Sequence, residues 1–184
     1  MNTIINHLES HKGVSGYKIN MDRRESYELF FVKGALETVR NGTWHASAVY
    51  DGDSSYPHVT RLIAEHESAD FLPALIEDAP FSVGVDSGQA GFFDAGHYRD
   101  DRIIDPDCTP TEHADLWYDH CCQITLSRQQ VGVLPYGAVS SSGYGDGCYD
   151  CYFQRDAFGY IVRVEILFID SESDDMEDDY EPEE

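Results

Sequence analysis

The stretch from Ala138 to Ile169, AVSSSGYGDGCYDCYFQRDAFGYIVRVEILFI, constrains the fold more than any other part of the chain. From Tyr160 onward, Tyr160, Val162, Val164, Ile166 and Phe168 share one parity, while Arg163 and Glu165 take the other. A period of two over that length predicts a half-buried β-strand. Cys148 to Arg155 is aromatic-rich and β-prone, and Asp156-Ala157-Phe158-Gly159 reads as the hairpin turn that joins the two runs. Aspartate opens such a turn, and Gly159 supplies the positive φ that closes it. Upstream, Gly143, Gly145 and Gly147 bracket Tyr144 and Asp146, so the backbone there can bend or approach a neighbour closely. This is a folding signature and not a catalytic one.

The remaining segments divide by period. Thr3 to Ser10 predicts a short helix with Ile4, Ile5 and Leu8 inward, broken by Gly13 and Gly16. Strands are expected at Gly16–Asn20, Ser26–Val32, Leu36–Arg40 and Thr43–Asp51, with turns at Lys33-Gly34 and Asn41-Gly42. Asn-Gly is the strongest short hairpin signal, so an antiparallel meander follows. Trp44 is read as a core or sheet-face aromatic with no ligand role. Val59, Leu62, Ile63 and His66 are helically spaced after Pro57, and a second segment capped by Ser68 carries Phe71, Leu72, Leu75 and Ile76. A strand is expected at Phe81–Val85, and the pieces VDSG (Val85–Gly88) and AGFFD (Ala90–Asp94) read as two strands or strand ends joined by a glycine bend. Thr109-Pro110-Thr111-Glu112 has the form of a capping box, opening a helix with Trp117, His120, Cys121 and Ile124 on its apolar face and an end near Ser127. Val131–Leu134 and the segment at Ala138 return to β-structure. The fold class expected is α+β: mostly antiparallel sheet, an N-terminal meander and a C-terminal hairpin, with two or three covering helices. Residues 1–169 form one domain in this reading, and 170–184 a disordered acidic tail.

Charge narrows the partners. Twelve basic residues against 35 acidic ones give a formal charge of −23. From Asp170 the sequence DSESDDMEDDYEPEE contains no base at all. Direct nucleic-acid binding is not expected, because nothing supplies a lysine and arginine footprint for phosphates, and membrane-surface attachment is disfavoured for the same reason. No apolar run approaches the ~20 residues of a membrane span. The N-terminus lacks the basic and apolar regions of a secretory signal. Five irregularly spaced cysteines suit reduced thiols, so a cytoplasmic location is expected.

VGVDSGQAGFFD, followed by SGYGDGCYDCYFQRDAFGYIVRVEILF, resembles a bacterial family, domain of unknown function 4241. The shared pattern is an aspartate-glycine strand, a later G-x-G-x-Y hairpin and a D-x-x-G turn, matched here by Gly145-Asp146-Gly147-Cys148-Tyr149 and Asp156-Ala157-Phe158-Gly159. The resemblance covers Phe81 to Phe168, and this chain has Tyr144 where the family often has tryptophan. It implies a fold neighbourhood and no carried-over catalytic residues.

Two constellations compete with a purely structural role. Cys148 and Cys151 form C-x2-C, with Cys121, Cys122, His113 and His120 as further ligands for zinc. Positions three apart on a strand face opposite ways, however, so no metal is expected there. Asp86, Asp94 and Asp146 each lie beside a glycine bend at a strand end, and if they converged they would hold a divalent cation or form an acid–base pair. The competing role is that each caps its own turn. Ser140, Ser141 and Ser142 are not ordered into any triad with the histidines. The candidate cluster is therefore Asp86, Gly88, Asp94, Gly145, Asp146, Gly147 and Tyr149, with no cofactor assigned. The function expected is a non-enzymatic protein-interaction module of inhibitor or immunity type, of bacterial or mobile-element origin, engaging a basic protein partner. A small metal-dependent hydrolase on the three aspartates is the alternative.

Overall fold

A computed structural model of the chain describes residues 3–9, 16–19, 35–51, 56–69, 75–79, 81–109 and 115–170. The expected strand at Ser26–Val32, the Lys33-Gly34 turn, most of the Ser68-led helix, Pro110 to His113 and the acidic tail lie outside those residues. In chain order the strands are β1 (Thr3–Glu9), β2 (Gly16–Ile19), β3 (Ala35–Glu37), β4 (Thr43–Tyr50), β5 (Val59–His66), β6 (Glu77–Asp78) and β7 (Val83–Val85). They continue with β8 (Gln89–Asp94), β9 (Val131–Leu134), β10 (Gly137–Ser141), β11 (Gly147–Arg155) and β12 (Ile161–Leu167). A 3-10 turn at Asp101–Ile103 and helix α1 (Leu116–Thr125) complete the set. The β-rich, antiparallel class is as expected. The two or three covering helices are not: α1 is the one α-helix among the described residues.

Two antiparallel sheets carry the fold. The first runs β1-β4-β5-β12-β11, with β6 and β7 both pairing the far side of β11; the second runs β3-β2-β8-β10-β9. Their facing sides share one core, in which Ala46, Leu62, Val164 and Ile166 of the first sheet join Ala90, Phe92, Val131 and Ala138 of the second. On the second sheet's other side, Phe93, Leu134 and Val139 join Trp117 and Cys121 of α1. The second sheet is thus covered on both faces, which is why all six residues of β8 are buried without alternation. Gly137 has a close-packing role there, since a Cβ would fall 2.2 Å from the Phe93 ring.

Four corrections have plain physical reasons. Thr3–Glu9 is a strand, pairing β4 in register from Thr3↔Val49 to Glu9↔Thr43. The β-branched run Thr3-Ile4-Ile5 is crowded in a helix and suits a pleated surface. Val59–His66 is likewise a strand, between β4 and β12. Val59, Thr60, Leu62, Ala64 and His66 are its buried set, and Val59, Leu62 and His66 fit a helical spacing by coincidence. The meander also fails, because β3 pairs β2 in the second sheet while β4 pairs β5 in the first. Thr38, at φ 59, turns the chain between them, and Val39 then bridges Ile161 in parallel. Asn41-Gly42 therefore connects that bridge to β4 and closes no β3–β4 hairpin. The helix cap is displaced too. Asp115, not Thr109, caps α1 by accepting from the Tyr118 amide.

The organising hairpin forms as expected, with Asp150↔Leu167 to Gln154↔Arg163 in register. A bulge at Gln154/Arg155 shifts its end by one residue, so Ile161 joins the core while Tyr160 is exposed. No helix among the described residues is long and apolar enough to cross a membrane.

Candidate functional site

Two glycine-bearing corners meet at one end of the sheets. The chain passes from β7 in the first sheet to β8 in the second through Asp86-Ser87-Gly88, and from β10 back to β11 through Ser142–Asp146. Val85 pairs Gly147 at the end of the β7–β11 ladder, which sets Asp86 and Asp146 beside each other just beyond it. The Gly88 amide donates to Asp146 Oδ1 at 3.0 Å, and the Ser142 amide donates to the Gly88 carbonyl at 3.1 Å. Each corner thus supplies the other with a partner for a backbone group, including the amide of the fully buried Ser142.

The Ser142–Gly147 loop is locked from within. Gly143 and Gly145 take φ of 58° and 114°, and the Gly145 amide donates to the Ser142 carbonyl. Ser142 Oγ donates to the Gly145 carbonyl at 2.7 Å, and the Tyr149 hydroxyl lies 3.0 Å and 2.7 Å from the carbonyls of Ser142 and Gly145. Tyr149 stands edge-on to Phe168 at 5.2 Å. Burial raises its phenol above the ordinary value, with Asp146 and Cys148 adding to that and the Ser142 bond opposing, so Tyr149 works here as a neutral donor.

Between those glycines Tyr144 projects outward, 73% exposed. Its ring meets His58 edge-on at 4.9 Å. His58 is fixed in turn by Asp51: its amide donates to Oδ1 at 2.7 Å, and Nδ1 lies 2.9 Å from Oδ2. Burial opposes ionisation of Asp51, but the His58 ring, amide and charge outweigh it and hold the carboxyl below its ordinary value. Tyr56, 65% exposed, lies two residues before His58. The result is a rigid, aromatic and acidic corner. An aspartate-oriented imidazole is also the geometry of a general base, yet no serine, threonine or cysteine side chain among the described residues hydrogen-bonds to His58.

The sequence candidates divide cleanly. Asp86, Gly88, Gly145, Asp146, Gly147 and Tyr149 come together at this corner. Asp94 does not: it sits at the other end of β8, buried, where its Oδ1 accepts from the Gly96 amide at 2.8 Å. The three aspartates therefore do not converge. Among the described residues no group of three histidine, cysteine or acidic side chains is placed to hold a metal. Cys148 is exposed and Cys151 buried, on opposite faces of β11, and burial pushes the Cys151 thiol up to about 12. Cys121 is buried against Trp117 in the other cluster, its thiol also raised by burial. All five thiols are free. Ser140 Oγ and Ser87 Oγ are buried without a hydrogen-bond partner.

Asp51, His58 and Tyr56 were missed in sequence. The available signal was positional, since Asp51 and His58 close the β4–β5 connection through the Asp51 amide and the His58 carbonyl at 3.0 Å. A family profile described as Protein of unknown function (DUF4241) matches residues 54–166. It takes in His58, all of β5 and both corners, and so reaches well upstream of Phe81. No curated protein matches the chain, and no solved structure does.

Proposed function

The chain belongs to the DUF4241 family, and on that footing we propose that it is a non-enzymatic interaction module of inhibitor or immunity type that docks a basic protein through the Tyr144 corner. The observation that carries the reading is Tyr144 itself: a large aromatic, mostly in solvent, on a loop immobilised by hydrogen bonds and flanked by the exposed carboxylates of Asp86 and Asp146. Rigid exposed tyrosines lose little entropy on binding and are enriched among the residues that dominate interfaces. Lysine or arginine from a partner would meet both the ring face and the carboxylates.

The distribution of positive charge supports the same direction. Arg40, Arg61, Arg99, Arg102, Arg155 and Arg163 each pair with a carboxylate of this chain. The acidic excess therefore remains at the surface, including Asp78 and Asp150 along the same β11 edge. Such a field steers basic partners and repels nucleic acid. The free thiols suit action in the cytoplasm.

Affinity capture from a bacterial lysate at low and high salt, followed by titration of the purified basic partner, tests this. Tyr144→Ser is expected to weaken binding by about 2 kcal/mol or more, roughly 30-fold, as truncation of a central aromatic does. Unchanged affinity in Tyr144→Ser, or capture with no salt-sensitive basic partner, would overturn the proposal.

A further inference from the structure

At the opposite end of β5 from His58, a second histidine is buried. His66 is 6% exposed, and both of its ring nitrogens are engaged. Nε2 lies 3.1 Å from the Asn41 carbonyl, while Nδ1 lies 3.1 Å from the Ser68 amide and 2.8 Å from Ser68 Oγ. A carbonyl can only accept and an amide N–H can only donate. The partners therefore fix the neutral tautomer with the proton on Nε2 and a lone pair on Nδ1. The ring stands edge-on to Trp44 at 5.4 Å and fills the space over Gly42, where a Cβ would fall 2.5 Å from Nε2. It thereby clasps the Asn41-Gly42 turn to the turn that leaves β5, which is further tied by the Glu67 amide to the Thr43 carbonyl and the Ala69 amide to the His66 carbonyl.

We infer that His66 is an acid-sensitive latch: protonation at Nδ1 breaks its bond to the Ser68 amide and loosens the Glu67–Ala69 turn at the end of β5, while the Glu67–Thr43 and Ala69–His66 backbone bonds and the two sheets stay intact. The added proton points at a donor. Ser68 Oγ can rotate to accept it, but the Ser68 amide cannot, so that hydrogen bond is lost and the turn must move. The charged groups facing the ring come from three elements. Arg40, beside the Asn41-Gly42 turn, opposes an imidazolium, while Glu67 and Asp156 of the β11–β12 turn favour one. Burial outweighs the two carboxylates and lowers the proton affinity of His66 below the ordinary value, so the latch stays closed at neutral pH and opens on acidification.

Amide hydrogen exchange combined with a histidine ring titration by NMR reads this out. Above the transition the ring spectrum is expected to show a proton on Nε2. Through the His66 titration the Ser68 protection factor falls by about tenfold or more, as loss of one hydrogen bond requires. The Phe168 amide, bonded to the Thr60 carbonyl at the far end of β5, keeps its protection. Glu67→Gln removes a carboxylate that favours the charged ring and moves the transition to lower pH. A ring protonated on Nδ1 at neutral pH, Ser68 protection constant through the titration, protection lost only with global unfolding, or a transition unmoved in Glu67→Gln would each overturn the inference.

Discussion

Gly159 and Arg163 flank one hairpin and bear different loads. Gly159 has φ +84 and open space where a Cβ would stand, so the cost of a side chain there is one of backbone conformation and not of collision. Gly159→Val is expected to destabilise by about 1–3 kcal/mol, the range for a β-branched residue forced into left-handed geometry. The strand period alone makes Arg163 a neutral solvent-face position. The structure makes it structural, because Arg163 bonds Glu65 at 3.0 Å and Glu165 at 2.7 Å, and the Glu165 side chain is only 8% exposed. Arg163→Ala leaves that carboxylate to Arg61 and should cost about 1–3 kcal/mol in urea unfolding. The turn was legible in sequence because its chemistry is local. The ion-pair layer was not, because Arg61 and Glu65 reach the face only once β5 pairs β12. Asp156 adds a pH signature. Burial opposes its ionisation, but bonds from Arg40 and from the Tyr160 and Phe158 amides outweigh it and lower the folded pKa below 3.8. Its contribution is complete above that unfolded value and is lost as pH falls through the folded one. The stability difference between wild type and Asp156→Asn should accordingly be largest near neutrality and shrink below pH 3.8.

Among the elements, β5 shows how a sequence pattern misleads and how the error can be exposed. Over eight residues, helical and strand periods share members, and the strand is decided by its two neighbours, β4 and β12. The two readings disagree at adjacent positions. In a helix Ile63 faces the core and Ala64 does not. In the observed strand Ala64 is buried between the sheets, while Ile63 is half-buried on the outer face. Ala64→Lys is expected to abolish cooperative folding or cost upwards of ~3 kcal/mol, since it drives a charge into the shared core. Ile63→Lys should cost about 1 kcal/mol or less, because a lysine stem can cover the same surface with its charge in water. The reverse order in denaturant midpoints would restore the helix. By contrast, β11 and β12 were legible, since turn residues bounded each run and left one period to choose, and β8 was legible from its bounding glycine bend without any period, being buried throughout.

At the scale of the whole molecule, the two corners were visible as glycine-aspartate sequences, but their meeting was not. It follows from the β7–β11 register, and no local pattern encodes that pairing. What composition does encode is repulsion. A formal charge of −23 on 184 residues opposes compaction, and ten of the acids lie from Asp170 onward. Truncation after Asp170 is expected to leave Tm unchanged or slightly raised at low salt. The full chain should gain the more from added salt, because at about 0.1 M the Debye length is already near 10 Å and long-range repulsion fades. The two Tm values should therefore converge as salt rises. Scanning calorimetry of both chains across that range checks it: a truncated protein that melts clearly lower at every salt concentration would show that residues beyond Asp170 contribute contacts stronger than the repulsion they add.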